Sequence, residues 1–496
     1  MSSRPPHVGV TGDFLGLPAF PAAAAAALAD PVLQRNLTHA TTTIRAKRAR
    51  VVAELDNWEE LRRAAEAIKD AGLHRLDELL VMFEANATAA GATVHWARDA
   101  AEANRIVVDL VASRGASEVV KVKSMATQEI ELNEALARAG IQAWETDLAE
   151  LIVQLGDDWP SHILVPAIHR NRAEVRQIFM REMGRVGRPA PADLTDDPPR
   201  LAEAARLHLR EKFLRAQVAV SGANFAIADT GSLVVVESEG NGRMCLTLPQ
   251  TLISVVGIEK VLPSWRDLEV MLQVLPRSST GERENPYTTI WTGAHADDGP
   301  RDVHIVLLDN GRSRVLADVK GRAALRCIRC SACLNVCPVY ERAGGHSYGS
   351  VYPGPIGAVL TPQLRGTGSD VDRSLPYASS LCGACYDVCP VRIDIPSMLV
   401  HLRTRVVDER RGGVPSVEQA AMTAAAWTLA DHRRLRRFAT VVNAAGKVLR
   451  SSLFRRRSVL RSLPWPARPW SRTRDAPVPP TESFRAWWER TGGAGE

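Results

Sequence analysis

Seven of the eight cysteines fall between Cys327 and Cys389, in two runs that read as copies of one device. The first, CIRCSACLNVCPVY, carries Cys327, Cys330, Cys333 and Cys337 with Pro338 behind them. The second, SSLCGACYDVCPV, carries Cys382, Cys385 and Cys389 with Pro390 behind them, and has Ser379 where the first copy has Cys327. Any fold available to this chain must gather these thiols at short fixed spacings. A disulfide framework belongs to small secreted domains that lack a core. This chain has 496 residues, 45% of them hydrophobic and 24% charged, which is the balance of an ordinary globular protein of about three domains. The crowding therefore points to a metal centre, and Cys245, alone, reads as a small buried hydrophobe.

A Cys-x2-Cys-x2-Cys run curls three thiolates round one face of an iron–sulfur cluster, and the cysteine before proline points away toward a second cluster. Applied here, that crossover gives one 4Fe-4S cluster to Cys327, Cys330, Cys333 and Cys389, and a second to Cys337, Cys382 and Cys385. The second then lacks one protein thiolate. Zinc knuckles also use paired Cys-x2-Cys, but zinc needs two pairs, not a triplet with a Cys-Pro exit. Three readings of Ser379 stay open: an oxygen ligand, a spectator beside an iron open to other groups, or a three-iron cluster. The preference of iron–sulfur centres for soft thiolate favours the open iron.

Along the chain, residues 1–65 read as a helical arm, 66–312 as an α/β domain, 313–400 as a loop-rich domain holding the cysteines, and 401–496 as a helical, basic, Pro- and Trp-rich region. Within the α/β part, TVHWA, SEVVKVK, IQAWETD, SHILVPA, VAVSG, SLVVVES and DVHIVLLDN read as strands, and ATQEIELNEALARAG and RAEVRQIFMREMG as helices between them. Such alternation predicts a largely parallel sheet. The run NWEELRRAAEAIKDAGLHRLDELLVMFEANATAAG has helical periodicity and ends at Gly91. The apolar stretch from Phe14 to Asp30 imitates a signal peptide, but its basic leader is Arg4 alone, Pro18 and Pro21 interrupt it, and an amphipathic helix follows. No apolar run is long enough to span a bilayer, so a cytoplasmic protein with reduced thiols is expected. From 401 onward 19 Lys and Arg face 8 Asp and Glu, so the net charge of +6 originates in the tail. Arg433, Arg434, Arg436, Arg437 and Arg455 to Arg457, near Trp465 and Trp470, suit a partner's acidic face first and an anionic membrane surface second; nothing else supports nucleic acid.

The two cysteine motifs, together with GGHSYGSVYPGPIGAVLTP, KVKSMATQEIELNEAL, PSHILVPAIHRNR and FAIADTGSLVVVESEGNGRM, resemble the lactate utilization protein B family over nearly the whole chain. That resemblance implies an α/β LUD domain similar to formyltetrahydrofolate cyclo-ligase and NagB-type isomerases, followed by a ferredoxin-type domain with two 4Fe-4S clusters. It also implies the three-cysteine second motif as a family trait. The implied role is the iron–sulfur subunit of an L-lactate oxidation system, passing electrons to a quinone or other carrier alongside A-type and C-type lactate utilization subunits. A glycolate-type 2-hydroxy-acid oxidoreductase subunit and a LUD-domain ligand or redox sensor are the alternatives.

The remaining candidates are less specific. Asp229, Thr230, Gly231 and Ser232 form a turn that would line a pocket or simply close a hairpin. Lys121, Lys123, Glu129 and Asn133 would face one pocket at strand ends, or be solvated. His162 and His169 read as structural, whereas His346 beside the cysteines would tune a cluster through a hydrogen bond. No Gly-x-Gly-x-x-Gly follows a strand. Hydride removal needs a two-electron acceptor, which such clusters are not, so the chain reads as a conduit, with no catalytic residue of its own.

Overall fold

Asp30 sets how the chain enters its first long helix. Its Oδ1 accepts hydrogen bonds from the amides of Val32 (2.8 Å) and Leu33 (3.0 Å), and Pro31 occupies the first turn. The helix Pro31–Val52 follows, and the preceding alanine run forms the helix Phe20–Ala27. The computed structural model describes residues 16–409, 417–449, 459–463, 468, 471 and 474–492. Arg4, Arg455 to Arg457, Trp465 and Trp470 lie outside the described residues. Contacts divide the chain into a unit of residues 1–409 and another of 410–496.

The described residues of the larger unit contain ten strands: β1 (Thr93–Ala97), β2 (Glu118–Lys121), β3 (Gln142–Glu145), β4 (Val218–Ser221), β5 (Phe225–Ile227), β6 (Ser232–Glu237), β7 (Thr251–Gly257), β8 (Val261–Leu262), β9 (Tyr287–Thr292) and β10 (Asp302–Leu308). Six form an all-parallel sheet in the order β1-β10-β7-β4-β2-β3. In its register Ser221 stands opposite Ser254, and their hydroxyls hydrogen-bond at 2.7 Å. A parallel sheet is buried on both faces, and accordingly all seven residues of β7 are buried. A second sheet, β8-β5-β6-β9, is antiparallel except where β5 meets β8.

Six of the expected strands form, and SHILVPA does not. There the His162 Nδ1 accepts the amides of Leu164 (3.1 Å) and Val165 (3.0 Å), and the Ser161 amide reaches back to the Pro166 carbonyl. With its ladder donors spent locally, and prolines at both ends, the segment turns instead of extending. The helix expected over ATQEIELNEALARAG is broken by Glu131 at φ +53°, between Met125–Glu129 and Leu132–Arg138. The long N-terminal periodicity likewise splits at Arg75 into Trp58–His74 and Leu76–Ala89, and Gly91 follows at φ +95°.

The segment expected to be loop-rich is built from short helices round one longer one, Gly354–Arg365, of which only Arg365 is not buried. Gly357 is required in that helix, since a Cβ would stand 1.6 Å from the Tyr352 carbonyl oxygen. The apolar core around it joins the cysteine loops to the N-terminal helices, to β5, β6 and β8, and to the helix Trp265–Ser279. The other unit holds the helices Val417–Leu429, His432–Leu449 and Phe484–Thr491 and a short ladder pairing Val459–Leu460 with Ala476–Pro477.

Candidate metal centre

The two cysteine loops repeat in backbone what they repeat in sequence. In the first, Arg329 (φ +62°) and Ser331 (φ +65°) are left-handed and the short helix Ala332–Asn335 follows. In the second, Leu381 (φ +56°) and Gly383 (φ +86°) are left-handed and Ala384–Asp387 follows. Non-glycine residues adopt this conformation rarely and at a cost, so the repetition marks a shared constraint. The Arg329 amide donates to Cys327 Sγ (3.4 Å), and the Leu381 amide donates to Ser379 Oγ (3.1 Å). Ser379 thus presents oxygen where the first loop presents sulfur.

The thiols fall into two groups. Cys327, Cys330, Cys333 and Cys389 line one cavity, floored by Ile328, Ile356, Ile393 and Ile395. Burial and the neighbouring Cys389 and Cys327 push Cys330 up to about 12. Burial, opposed by backbone amide bonds and assisted by Cys327, holds Cys389 at about 11. Burial raises Cys337 as well, its thiol neighbour being Cys382, and burial with Cys337 and Cys382 takes Cys385 to about 12. None of the eight cysteines is in a disulfide. As bare thiols Cys330, Cys337, Cys385 and Cys389 keep their protons at neutral pH, and coordination to a metal displaces the proton. Amides of Tyr340 and Ile393 donate to Cys337 Sγ and Cys389 Sγ, each at 3.4 Å. Four thiols round one cavity lined mainly by apolar side chains, with N–H groups aimed at sulfur, suit an iron–sulfur cluster. The second group is more open: Cys382 is exposed, as are Tyr377, Leu381 and Tyr386 around it.

Three cations from outside the motifs and one from within the first, Arg329, surround the first group, and the sequence reading missed them. Arg62, on the helix Trp58–His74, donates to the carbonyls of Cys389 (Nε, 3.0 Å) and Tyr386 (Nη2, 3.1 Å). Arg48 donates to the Val388 carbonyl at 3.0 Å, and Lys69 Nζ to the Glu259 carbonyl at 2.5 Å. Arg62 and Lys69 lie seven residues apart inside the buried stripe of Leu61, Ala65, Gly72 and Leu73. A cation at i, i+7 within an apolar stripe was the available signal. Arg329 Nη2 bonds Glu259 at 3.2 Å and its guanidinium lies 4.6 Å from the Tyr352 ring centre. Burial would raise Glu259, but Arg312, Arg329 and Lys260 hold it at about 2.

His346 does not serve a cysteine: its Nε2 lies 2.7 Å from the Trp159 carbonyl and its ring packs on His169. His162 is buried, pressed down to about 3 chiefly by burial, and sits 3.2 Å from Asn335 Oδ1. Burial holds the Tyr348 hydroxyl well above its usual range, and the neighbouring Cys337 adds to the shift. Burial raises Cys245 to about 12, in keeping with an inert core thiol.

Lys121, Lys123, Glu129 and Asn133 do not share one pocket. Lys121, almost wholly buried and 2.8 Å from Glu145, lines a cavity of about 710 Å³ together with Asn133. Lys123 lines another, of about 320 Å³. Glu129 is locked by Arg312, Asn310 and Tyr352. The turn at Asp229 to Ser232 closes the β5–β6 hairpin, where Asp229 accepts the Trp265 amide. It lines neither of these two cavities.

Two family models match the chain, the LUD domain over residues 80–308 and the 4Fe-4S dicluster domain over 323–393. Three relatives illustrate the full-length similarity. Lactate utilization protein B 1 of Bacillus mycoides is 40% identical over 94% of each chain. Lactate utilization protein B of Oceanobacillus iheyensis is 41% identical over 93% of this chain and 94% of its own. That of Bacillus subtilis is 39% identical over 96% of both. A solved duf162 family protein from Deinococcus radiodurans overlays 47% of this chain and 98% of its own, at 15% identity and a TM-score of 0.27, a likeness too slight to add to the fold described above.

Proposed function

The chain belongs to the lactate utilization protein B family, and on that footing we propose that it is the iron–sulfur electron-transfer subunit of an L-lactate oxidation system. The observation that carries this reading is the sorting of seven thiols, six buried and Cys382 exposed, into a group of four and a group of three, with Cys337 and Cys389 exchanged between motifs. Cys327, Cys330, Cys333 and Cys389 would hold one 4Fe-4S cluster, and Cys337, Cys382 and Cys385 a second whose fourth iron faces Ser379. Such clusters supply one-electron storage and transfer when bound.

The chain's own residues define the rest. Arg48, Arg62, Lys69 and Arg329 place positive charge round the first thiol group, which favours the more negative, reduced state of whatever the thiolates hold. The isoleucine floor excludes water from that group, while the exposed edge at Cys382, Tyr377 and Tyr386 gives the second a route to a partner. Partners in this reading are the A-type and C-type subunits, with a quinone or other carrier as acceptor. The exposed face of the helix His432–Leu449, with Arg433, Arg436 and Arg437 beside Phe438 and Val441, serves docking to a subunit or to a membrane surface. Among the described residues no helix is long and apolar enough to cross a membrane. The working division is an arm (1–65), a NagB-like LUD domain (66–312), a ferredoxin-type domain (313–400) and a basic C-terminal region (401–496).

The test is iron and sulfide analysis with EPR of anaerobically purified protein. About eight irons per chain and two interacting reduced spins are expected; four irons, or zinc in their place, would refute the two-cluster assignment.

A further inference from the structure

The cavity of about 320 Å³ lies at the carboxyl ends of β2, β4 and β7, where parallel sheets bind ligands. Its acidic side chains are spent. Asp147 caps the helix Leu148–Leu155, Glu237 accepts the amides of Gly242 and Arg243, and Glu239 accepts that of Leu148. Glu259 is held by Arg312 and Arg329. Two of its cations are spent as well, Lys123 on the Leu164 carbonyl and Arg312 on Glu129 and Glu259. What remains unspent consists of donors. Lys260 Nζ makes no hydrogen bond or ion pair among the described residues, although burial and the nearby Arg329 press it down to about 7. Arg329 Nε and Thr280 Oγ1 are buried without an acceptor, on a guanidinium side chain only 8% exposed in the case of Arg329.

We propose that this cavity binds a small organic acid, its carboxylate held by Lys260 and Arg329 with Thr280 as a further donor. Buried donors without partners are costly, and an anionic oxygen relieves that cost. The acidic side chains of Asp147 and Glu259 line the same space and disfavour a second negative charge, so a monoanion fits better than a phosphate dianion. The site also adjoins the thiols. Arg329 and Ile163 line both this cavity and the one formed by Cys327, Cys330, Cys333 and Cys389, and the Arg329 amide is the one bonded to Cys327 Sγ. The occupant is thus separated from the first thiol group by one layer of side chains. This goes beyond the electron-transfer reading and stands whichever substrate supplies the electrons.

The experiment is calorimetric titration of the full, iron-loaded chain with pyruvate, with acetate and inorganic phosphate as comparators. Pyruvate and acetate bind more tightly than phosphate. Lys260→Met weakens pyruvate binding about tenfold to a hundredfold, the worth of one charge-assisted hydrogen bond. Lys260→Arg keeps part of the affinity, and Thr280→Val, remote from the cysteine loop, loses less. Iron content and the visible spectrum stay unchanged in each. Undiminished affinity in both Lys260→Met and Thr280→Val, tighter binding of phosphate than of pyruvate, or no binding of either carboxylate at millimolar concentration would each overturn the proposal.

Discussion

Replacing Arg62 by Met tests whether the N-terminal helices hold the cysteine loops in place. The side chain is 8% exposed and its guanidinium spans two carbonyls of the second loop, those of Tyr386 and Cys389. Hydrogen bonds from a charged donor contribute about 1.5–3 kcal/mol each. Its third contact, with Glu59 at 2.6 Å, reaches a carboxylate that is 54% exposed and adds at most about 1 kcal/mol. Met fills the volume but leaves both carbonyls without the donor, so docking of residues 384–393 weakens by about 3–5 kcal/mol. At 1.4 kcal/mol per decade, 4 kcal/mol is roughly a thousandfold in local opening. Hydrogen exchange of peptides covering 384–393 reads this directly, and that stretch should lose protection while the parallel sheet keeps it. Because Cys389 belongs with Cys327, Cys330 and Cys333, the variant also loses iron from the four-thiol site before the three-thiol site. Unchanged exchange over 384–393 would refute the clamp.

Ser379→Cys places sulfur where Oγ now takes the Leu381 amide; the one distinct iron expected in the parent's Mössbauer spectrum, roughly one in eight of the total, should merge with the rest, and an unaltered spectrum would count against the assigned vacancy. Glu259→Gln leaves Arg312 and Arg329 without their shared carboxylate, and urea melts should show a loss of about 3–5 kcal/mol. Since the folded Glu259 titrates at about 2, below the unfolded value of about 4.3, its contribution is full above that unfolded value and disappears as the pH falls toward 2. The variant should therefore show a shallower acid slope than the parent, and equal slopes would contradict the pairing. Tyr348→Phe removes the hydroxyl neighbouring Cys337 and should lower the midpoint potential of the three-thiol cluster in an EPR-monitored titration, with the four-thiol cluster unmoved.

The cysteine arrangement was legible because ligand spacing is local: three thiols within seven residues curl round one point whatever surrounds them. The position of Ser379 was legible for the same reason, and the matched left-handed pairs Arg329/Ser331 and Leu381/Gly383 repeat it in backbone. The strands of alternating or apolar composition were also readable. TLISVVG, the inner strand β7, went unread because Thr251 and Ser254 interrupt its apolar residues, and the short strands β5 and β8 have too few residues to show a period. SHILVPA misled because composition cannot reveal that one imidazole captures two backbone amides. Lys121 and Lys123 parted because β2 ends at Lys121, so the two no longer obey strand alternation. The partners of Arg62, Lys69 and Arg329 lie 327, 190 and 70 residues away in sequence, at Cys389 and Glu259, which no local pattern encodes.

The most direct measurement is EPR of the anaerobically purified complex with its partner subunits during addition of L-lactate. Growth of reduced 4Fe-4S signals, lost on Cys327→Ala and on Cys385→Ala, is the predicted result. Clusters that stay oxidised throughout the lactate titration, while still reducible by dithionite, would contradict the account.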